Sequence, residues 1–432
     1  MKTNIFKDFA KYTSLNVLGM IALSCYILAD TFFIAMGLGA NGLAALNFAI
    51  PVYGIIHGSG LMLGIGGATK YSISKSRNET GKANRTFTNT ILIMLVFSAA
   101  FFAAGLFFSA ALTRMLGVND EIFIMSKTYI QIILLFSPIF ILNNVLLCFI
   151  RNDGAPKLAM IAMLSSSGAN IILDYIFIIL LGKGMFGAAI TTGFSAVLGM
   201  LVLSYFFLKK RNRFHLVKCG ISGRLSRRIF SNGLPSFITE ASSGVVIIVF
   251  NIIILRLQGN IGVAAYGVIA NLSLVVIAIF TGIAQGIQPI ISSNFGIGNH
   301  SAVKAILRYA LILLVILSAI IYLSVFFGAP HIASAFNSEQ NPHLQTAVIS
   351  GIKIYFTACL FAGFNIIMSV YFTSTERPRP AQIISILRGF LLIIPIVFLL
   401  SSAKGITGVW SAFPISEFIV AAVAVVLWRR RK

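Results

Sequence analysis

The sequence predicts an all-α integral membrane protein of twelve transmembrane helices, arranged as two six-helix lobes related by a pseudo-two-fold axis along the membrane normal. Three observations carry that prediction. The chain is 58% hydrophobic and only 10% charged, with a mean hydropathy of +0.95, against roughly 25% charged residues in soluble domains. Its apolar runs are continuous rather than alternating, which argues against a β-barrel and leaves helices, since lipid offers no partner for open backbone groups. The pattern of the first half also recurs in the second.

The twelve expected spans are residues 12–36, 45–69, 89–112, 127–150, 158–181, 187–208, 229–256, 263–290, 306–328, 346–373, 381–401 and 408–428. Each meets the roughly 20 residues needed to cross a bilayer, with room for tilt. The first run, preceded by Lys2, Lys7 and Lys11, is too long for the apolar region of a signal peptide and lacks a clear cleavage site, so it is read as a span.

Orientation follows from the 33 Lys and Arg residues. With the N-terminus inside, the inner segments hold most of them: Lys2, Lys7 and Lys11; Lys70 through Arg85; Arg151 and Lys157; Lys209 through Arg228; Lys304 and Arg308; Arg377 and Arg379; and Arg429 through Lys432. The outer segments hold only Arg114, Lys127, Lys183, Arg256 and Lys404. That bias places both termini in the cytoplasm and the chain in the cytoplasmic membrane. The formal charge of +22 therefore reads as orientation signals in short loops; there is no basic domain for nucleic acid.

The repeat has two anchors. Gly42-Leu43-Ala44-Ala45-Leu46 reappears as Gly262-Val263-Ala264-Ala265-Tyr266, and Arg151 through Pro156 matches Thr375 through Pro380 in position, at offsets of 220 and 224 residues. The expected division is residues 1–208 for the first lobe, 209–228 for a basic cytoplasmic linker and 229–432 for the second lobe. An even number of spans per half makes the repeats parallel, with a transport path between them.

The chemistry is expected from acids at bilayer depth. Asp30 lies in the first span and Asp174 in the fifth. A charge there costs roughly 2.5–3.5 kcal/mol on insertion scales, so such a group pairs, faces water or takes a proton. Asn170 stands four residues before Asp174, on the same helix face. With Asn144 and Thr192 these form an all-oxygen set suited to a shared proton or to Na⁺; Asn144 and Thr192 taken singly read as interhelical hydrogen bonds. The second half has no such pair: opposite Asp30 stand Phe250 and Asn251. Glu240 in span seven could attract a cationic compound, with Asn251 and His57 as further candidates for a substrate cavity. Arg388 and Glu417 are expected to pair with each other.

The cysteines, Cys25, Cys148, Cys219 and Cys359, have neither metal-ligand nor disulfide-framework spacing. No phosphate-cradling loop occurs, and no catalytic constellation supports an enzyme. Transport is then driven by an ion gradient, or by nothing.

Read together, Ala29-Asp30-Thr31-Phe32-Phe33-Ile34-Ala35, Leu43 through Leu46, Asn170 with Asp174, and Gly187-Ala188-Ala189 through Thr192 resemble the MATE family of multidrug and toxic compound extruders. The likeness is to its DinF-like branch and to the MepA-type drug exporters in particular, and it covers nearly the whole chain. It implies an antiporter that exports amphipathic, often cationic compounds in exchange for H⁺ or Na⁺. It also implies that Asp30, Asn170, Asp174 and Thr192 form the cation-coupling site, the same four residues being the ligands where the cation is Na⁺. Tyr129 and Asn144 would lie in the site's hydrogen-bond network. A NorM-like branch also carries an acid in span ten, which this sequence lacks. The expected partners are small-molecule drugs or organic cations and membrane lipid, with no cofactor, no ATP, no nucleic acid and a monomeric chain. The alternative reading is a flippase for lipid-linked sugars or other polyprenyl lipids.

Overall fold

The computed structural model describes residues 4–337 and 341–430; Lys2, Arg431 and Lys432, used in the charge argument, lie outside them. The described chain is helical. Its α-helices in order are α1 (Ile5–Ser76), α2 (Thr80–Phe107), α3 (Ser109–Met115), α4 (Asp120–Leu135), α5 (Ser137–Asn152), α6 (Pro156–Asp174), α7 (Gly184–Leu208), α8 (Gly223–Gly296), α9 (His300–Ala335), α10 (Pro342–Tyr355), α11 (Cys359–Ser374), α12 (Pro378–Ile386) and α13 (Ile393–Arg429). Short irregular turns join some of them: a π-turn at Tyr175–Leu180, a 3₁₀ turn at Phe356–Ala358 and a second π-turn at Leu387–Leu391.

Twelve crossings result. Among the described residues nine apolar runs are long enough to span a membrane, if α4 and α5, bent by 50° where Pro138 opens α5, form one span. Three of the nine contain two spans each, because the helical path doubles back at a glycine: Gly39 in α1 (φ 64°, ψ −154°), Gly259 in α8 (φ 63°, ψ −151°) and Gly405 in α13 (φ 55°, ψ −134°). A side chain at such a φ/ψ is strained, which is why glycine stands there. Gly39 and Gly259 adopt nearly the same conformation at equivalent places in the two halves, so the repeat read from the sequence is also a repeat of backbone geometry.

Two apolar clusters form the interior. One runs from Ile34 to Ile229. The other comprises residues from Phe250 to Ala424 together with Phe9 from the start of α1. The seam between the halves is built by α1 and α8. It relies on close backbone approach at symmetric places. A Cβ on Gly66 would sit 2.1 Å from Ile229 O, and one on Gly286 would sit 2.7 Å from Thr13 Cα.

The halves are tied by hydrogen bonds at one end only, the basic end that carries the N-terminus. There Lys70 pairs with Glu376 at 2.6 Å. Arg151 Nη1, held within the first half by Asn16 Oδ1 (2.5 Å), donates across to Gln285 Oε1 (2.8 Å). Asn152 and Gln288 exchange bonds of 2.8 and 3.2 Å, and Gln288 Nε2 also donates to Thr69 Oγ1 at 2.9 Å. Arg77 Nε donates to Gly296 O at 3.0 Å. At the opposite end no bond between the halves occurs among the described residues.

The segment between α7 and α8 is a strap lying on the first half. Phe214, fully buried, inserts into a ring cluster with Tyr71, Phe87, Phe149 and Phe207, its centroid 4.5 Å from that of Phe87. The strap's backbone donates to side chains of the first half: Arg213 N to Asp153 Oδ2 (2.7 Å), His215 N to Asn84 Oδ1 (3.1 Å), Val217 N to Thr88 Oγ1 (3.0 Å) and Ser222 N to Asn89 Oδ1 (2.8 Å). Asp153 Oδ1 also accepts from Tyr71 Oη at 2.6 Å and Lys75 Nζ at 2.5 Å.

Candidate functional site

Asp30 lies in the first span of α1, nine residues before the Gly39 reversal, and Asp174 is the last residue of α6. The π-turn that follows Asp174 widens the helix and changes the direction in which this residue points; such turns recur at functional sites. The two side chains meet: their carboxyl groups lie within hydrogen-bonding reach of each other. Asp30 is 7% exposed and Asp174 fully buried.

Their oxygens are incompletely satisfied. Asp174 Oδ1 accepts from Thr191 Oγ1. Among the described residues, Asp174 Oδ2, Asp30 Oδ1 and both amide atoms of Asn170 have no hydrogen-bond partner. Asn170 sits one turn before Asp174 on the same face of α6, also fully buried. Buried polar groups are almost always paired, so four orphan atoms on two facing acids and on the residue one turn before Asp174 need an explanation. Two facing carboxyl oxygens attract each other only through a proton or a cation between them. The set Asp30 Oδ1, Asp174 Oδ2 and Asn170 Oδ1 offers hard oxygen donors suited to either.

Tyr129, on α4, is buried close to Thr192 and to both acids. Thr192 Oγ1 itself donates to Ala188 O at 3.0 Å. Of the threonine pair it is therefore Thr191, unremarked in the sequence, that bonds the acid directly. Asn144 does not join the acids: its Nδ2 is 3.2 Å from His57 Nδ1.

That pair belongs to a second feature, a cavity of about 120 Å³ between the halves. Its walls include Tyr26, Tyr53, His57, Asn144 and, from the second half, Glu240. His57 stacks on Tyr53 with ring centroids 5.7 Å apart, and Tyr26 Oη and Tyr53 Oη are 3.3 Å apart. Both tyrosines lie within electrostatic range of Asp30, and Tyr53 within that of Glu240 as well. They connect the acid pair to the cavity. The signal that could have found them is helical spacing, since Tyr26 is four residues before Asp30 and Tyr53 four before His57.

Asn251 is half-buried and is not among the residues lining this cavity. Its neighbour Phe250, opposite Asp30 in the repeat, stacks on Tyr266 at 5.4 Å in the second apolar cluster. Glu417 and Arg388 pair as expected, at 2.5 Å, and Asn365 Nδ2 donates to Glu417 Oε2 at 2.7 Å.

Comparison with known proteins bears on this geometry. A family model described as MatE matches residues 17–176 and 235–399. Over 431 residues the chain is 26% identical to the "Multidrug export protein MepA" of Staphylococcus aureus (strain MSSA476), covering 99% of this chain and 94% of that protein. It is 27% identical over 425 residues to the protein of the same name from Staphylococcus haemolyticus (strain JCSC1435), covering 98% and 93%. Two solved structures share the fold, each with a TM-score of 0.92. One, at 24% identity, is described as a crystal structure of MATE in complex with MaL6 and is covered to 96% by 98% of this chain. The other, at 23% identity, is described as an outward-facing conformation of a multidrug resistance MATE family transporter and is covered to 95% by 98% of this chain.

Proposed function

This chain belongs to the MatE family, and from that premise we propose that it exports amphipathic, often cationic drugs across the cytoplasmic membrane in exchange for H⁺ or Na⁺. The observation that carries the coupling is the buried Asp30–Asp174 pair with its orphan oxygens beside Asn170. Support for drug export comes from the whole-length likeness to proteins named for multidrug export. The cavity between the halves adds to it: aromatic and amide walls with Glu240 suit an apolar cation.

A cation at Asp30 and Asp174 neutralises those two acids, and the organic cation is then held less tightly, with Glu240 the one acid left in the cavity wall. Drug binding in turn favours release of the inorganic ion, because linkage makes the competition reciprocal. Tyr26 and Tyr53 relay between the two places. The bonds between the halves at the basic end close the cytoplasmic side, so this conformation faces outward. Rocking of the halves about the α1–α8 seam exchanges the open side.

The test is dye efflux. Asp30→Asn keeps expression and fold but stops ethidium export from cells. Wild-type efflux by that variant removes Asp30 from the mechanism. Vesicles given either a pH gradient or a Na⁺ gradient identify the ion: the gradient that drives dye movement is the coupled one.

A further inference from the structure

The second half contains a larger cavity, of about 240 Å³, that has no role in the reading above. It is the counterpart of a small cavity of about 50 Å³ in the first half. At the spacing that separates Gly39 from Gly259, Tyr53 answers to Ser273 and Tyr26 to Val246. At a spacing of 222, which separates the starts of α5 and α11 and those of α6 and α12, Asn143 answers to Asn365, Ser166 to Arg388 and Ser195 to Glu417. The first pair of exchanges removes two phenol rings and opens space. The last two replace small hydroxyls with a guanidinium and a carboxylate.

The bonding of that pair decides which charge it offers. Glu417 is 1% exposed and both of its oxygens are engaged, Oε1 by Arg388 Nε and Oε2 by Asn365 Nδ2. Arg388 is 15% exposed into the cavity; only its Nε is engaged, and its two outer nitrogens donate to nothing among the described residues. It stands in the π-turn Leu387–Leu391, where the helix is widened. Around it are stacked Tyr355 and Phe413, centroids 4.6 Å apart and nearly parallel. Thr239 and Ser243, both exposed, leave the cavity open along α8.

A guanidinium with its fork free matches a carboxylate bidentately. Flat aromatic walls favour a flat aromatic body. Because Glu417 already balances Arg388, a bound carboxylate leaves the pocket one charge negative, so a ligand that carries its own positive charge avoids that penalty.

We propose that the second half holds a separate site for zwitterionic aromatic carboxylates, which Arg388 grips by the carboxylate while Tyr355 and Phe413 hold the ring system. The proposal rests on the export reading for its biological use, but the test is of binding alone. The purified full chain is titrated with rhodamine 110, a xanthene cation with a free benzoate, and with rhodamine 123, its methyl ester, and binding is read by fluorescence anisotropy. Arg388→Gln, which retains a donor toward Glu417, is expected to weaken the free acid about tenfold or more, the loss of a charge-assisted bond pair, and not to weaken the ester, whose positive charge the uncovered Glu417 carboxylate favours. Arg388→Lys keeps the charge without the fork and falls between. Equal weakening of both dyes, an unchanged affinity for the acid, or no saturable binding of the acid to wild type each overturns the proposal. If Arg388→Gln does not yield a monodisperse protein, Arg388→Lys decides by the same contrast. Ethidium efflux by wild type stands or falls independently of these results.

Discussion

Gln288→Leu should release the basic end. In the present conformation the Gln288 side chain exchanges two bonds with Asn152 and donates one to Thr69, all buried. Leucine fills much the same space but returns none of these. Each neutral bond is worth about 1 kcal/mol net, so the closed basic end loses about 2–3 kcal/mol. In the opposite conformation water reaches Asn152 and Thr69 and the loss disappears. The equilibrium therefore moves toward opening at the basic end by roughly 30- to 150-fold. Spin labels at Lys82 on α2 and Lys304 on α9, both exposed, report the separation of the halves at that end by pulsed electron resonance. A longer-distance population should appear or grow in the variant. A distance distribution identical to that of the parent would refute the assignment of these bonds as the closure.

Other consequences can be measured separately. Thr191→Val removes the hydroxyl that Asp174 Oδ1 accepts from and should lower efflux at least several-fold; Thr192→Val, whose hydroxyl bonds the backbone of its own helix, should have the smaller effect in the same assay. Gly259→Ala places a Cβ at φ 63° and ψ −151° and should cost about 1–3 kcal/mol, read as a lower melting temperature in detergent. Phe214→Ala empties a fully buried ring site at about 3–5 kcal/mol; the strap should then be cut faster by trypsin at Arg211 and Arg213 than in the parent. Glu417→Gln leaves Arg388 without a carboxylate partner and should lower the melting temperature more than Glu240→Gln, because Glu240 has no ion pair among the described residues.

Much of the architecture was legible because lipid punishes exceptions. An acid in an apolar run is conspicuous, so Asp30, Asp174, Glu240 and Glu417 stand out in the sequence, as does Arg388 as a partner for Glu417. The repeat was legible because Gly39 and Gly259 each lie just before a matching Gly-x-Ala-Ala stretch. Three things were not legible. The choice of Thr191 over Thr192 depends on how the chain is wound around the π-turn after Asp174, and no spacing rule gives that angle. Asn144 belongs with His57 because of the bend between α4 and α5, which sets the direction of α5. Arg151, Asn152 and Asp153 read as a loop in sequence, yet all three are buried, because the lobes close over them and the strap covers them.

The strap changes where the two halves are actually joined. Its backbone is stitched to the first half as far as Ser222 N on Asn89, and α8 begins at Gly223. Almost no slack chain remains between the last stitch and the second half. A version made as two polypeptides should therefore be divided at Ser222–Gly223, so that the whole strap travels with the first piece. A cut near Arg211 would leave that piece with an open aromatic socket where Phe214 belongs, and would hand the other piece a bare phenylalanine on a basic tail.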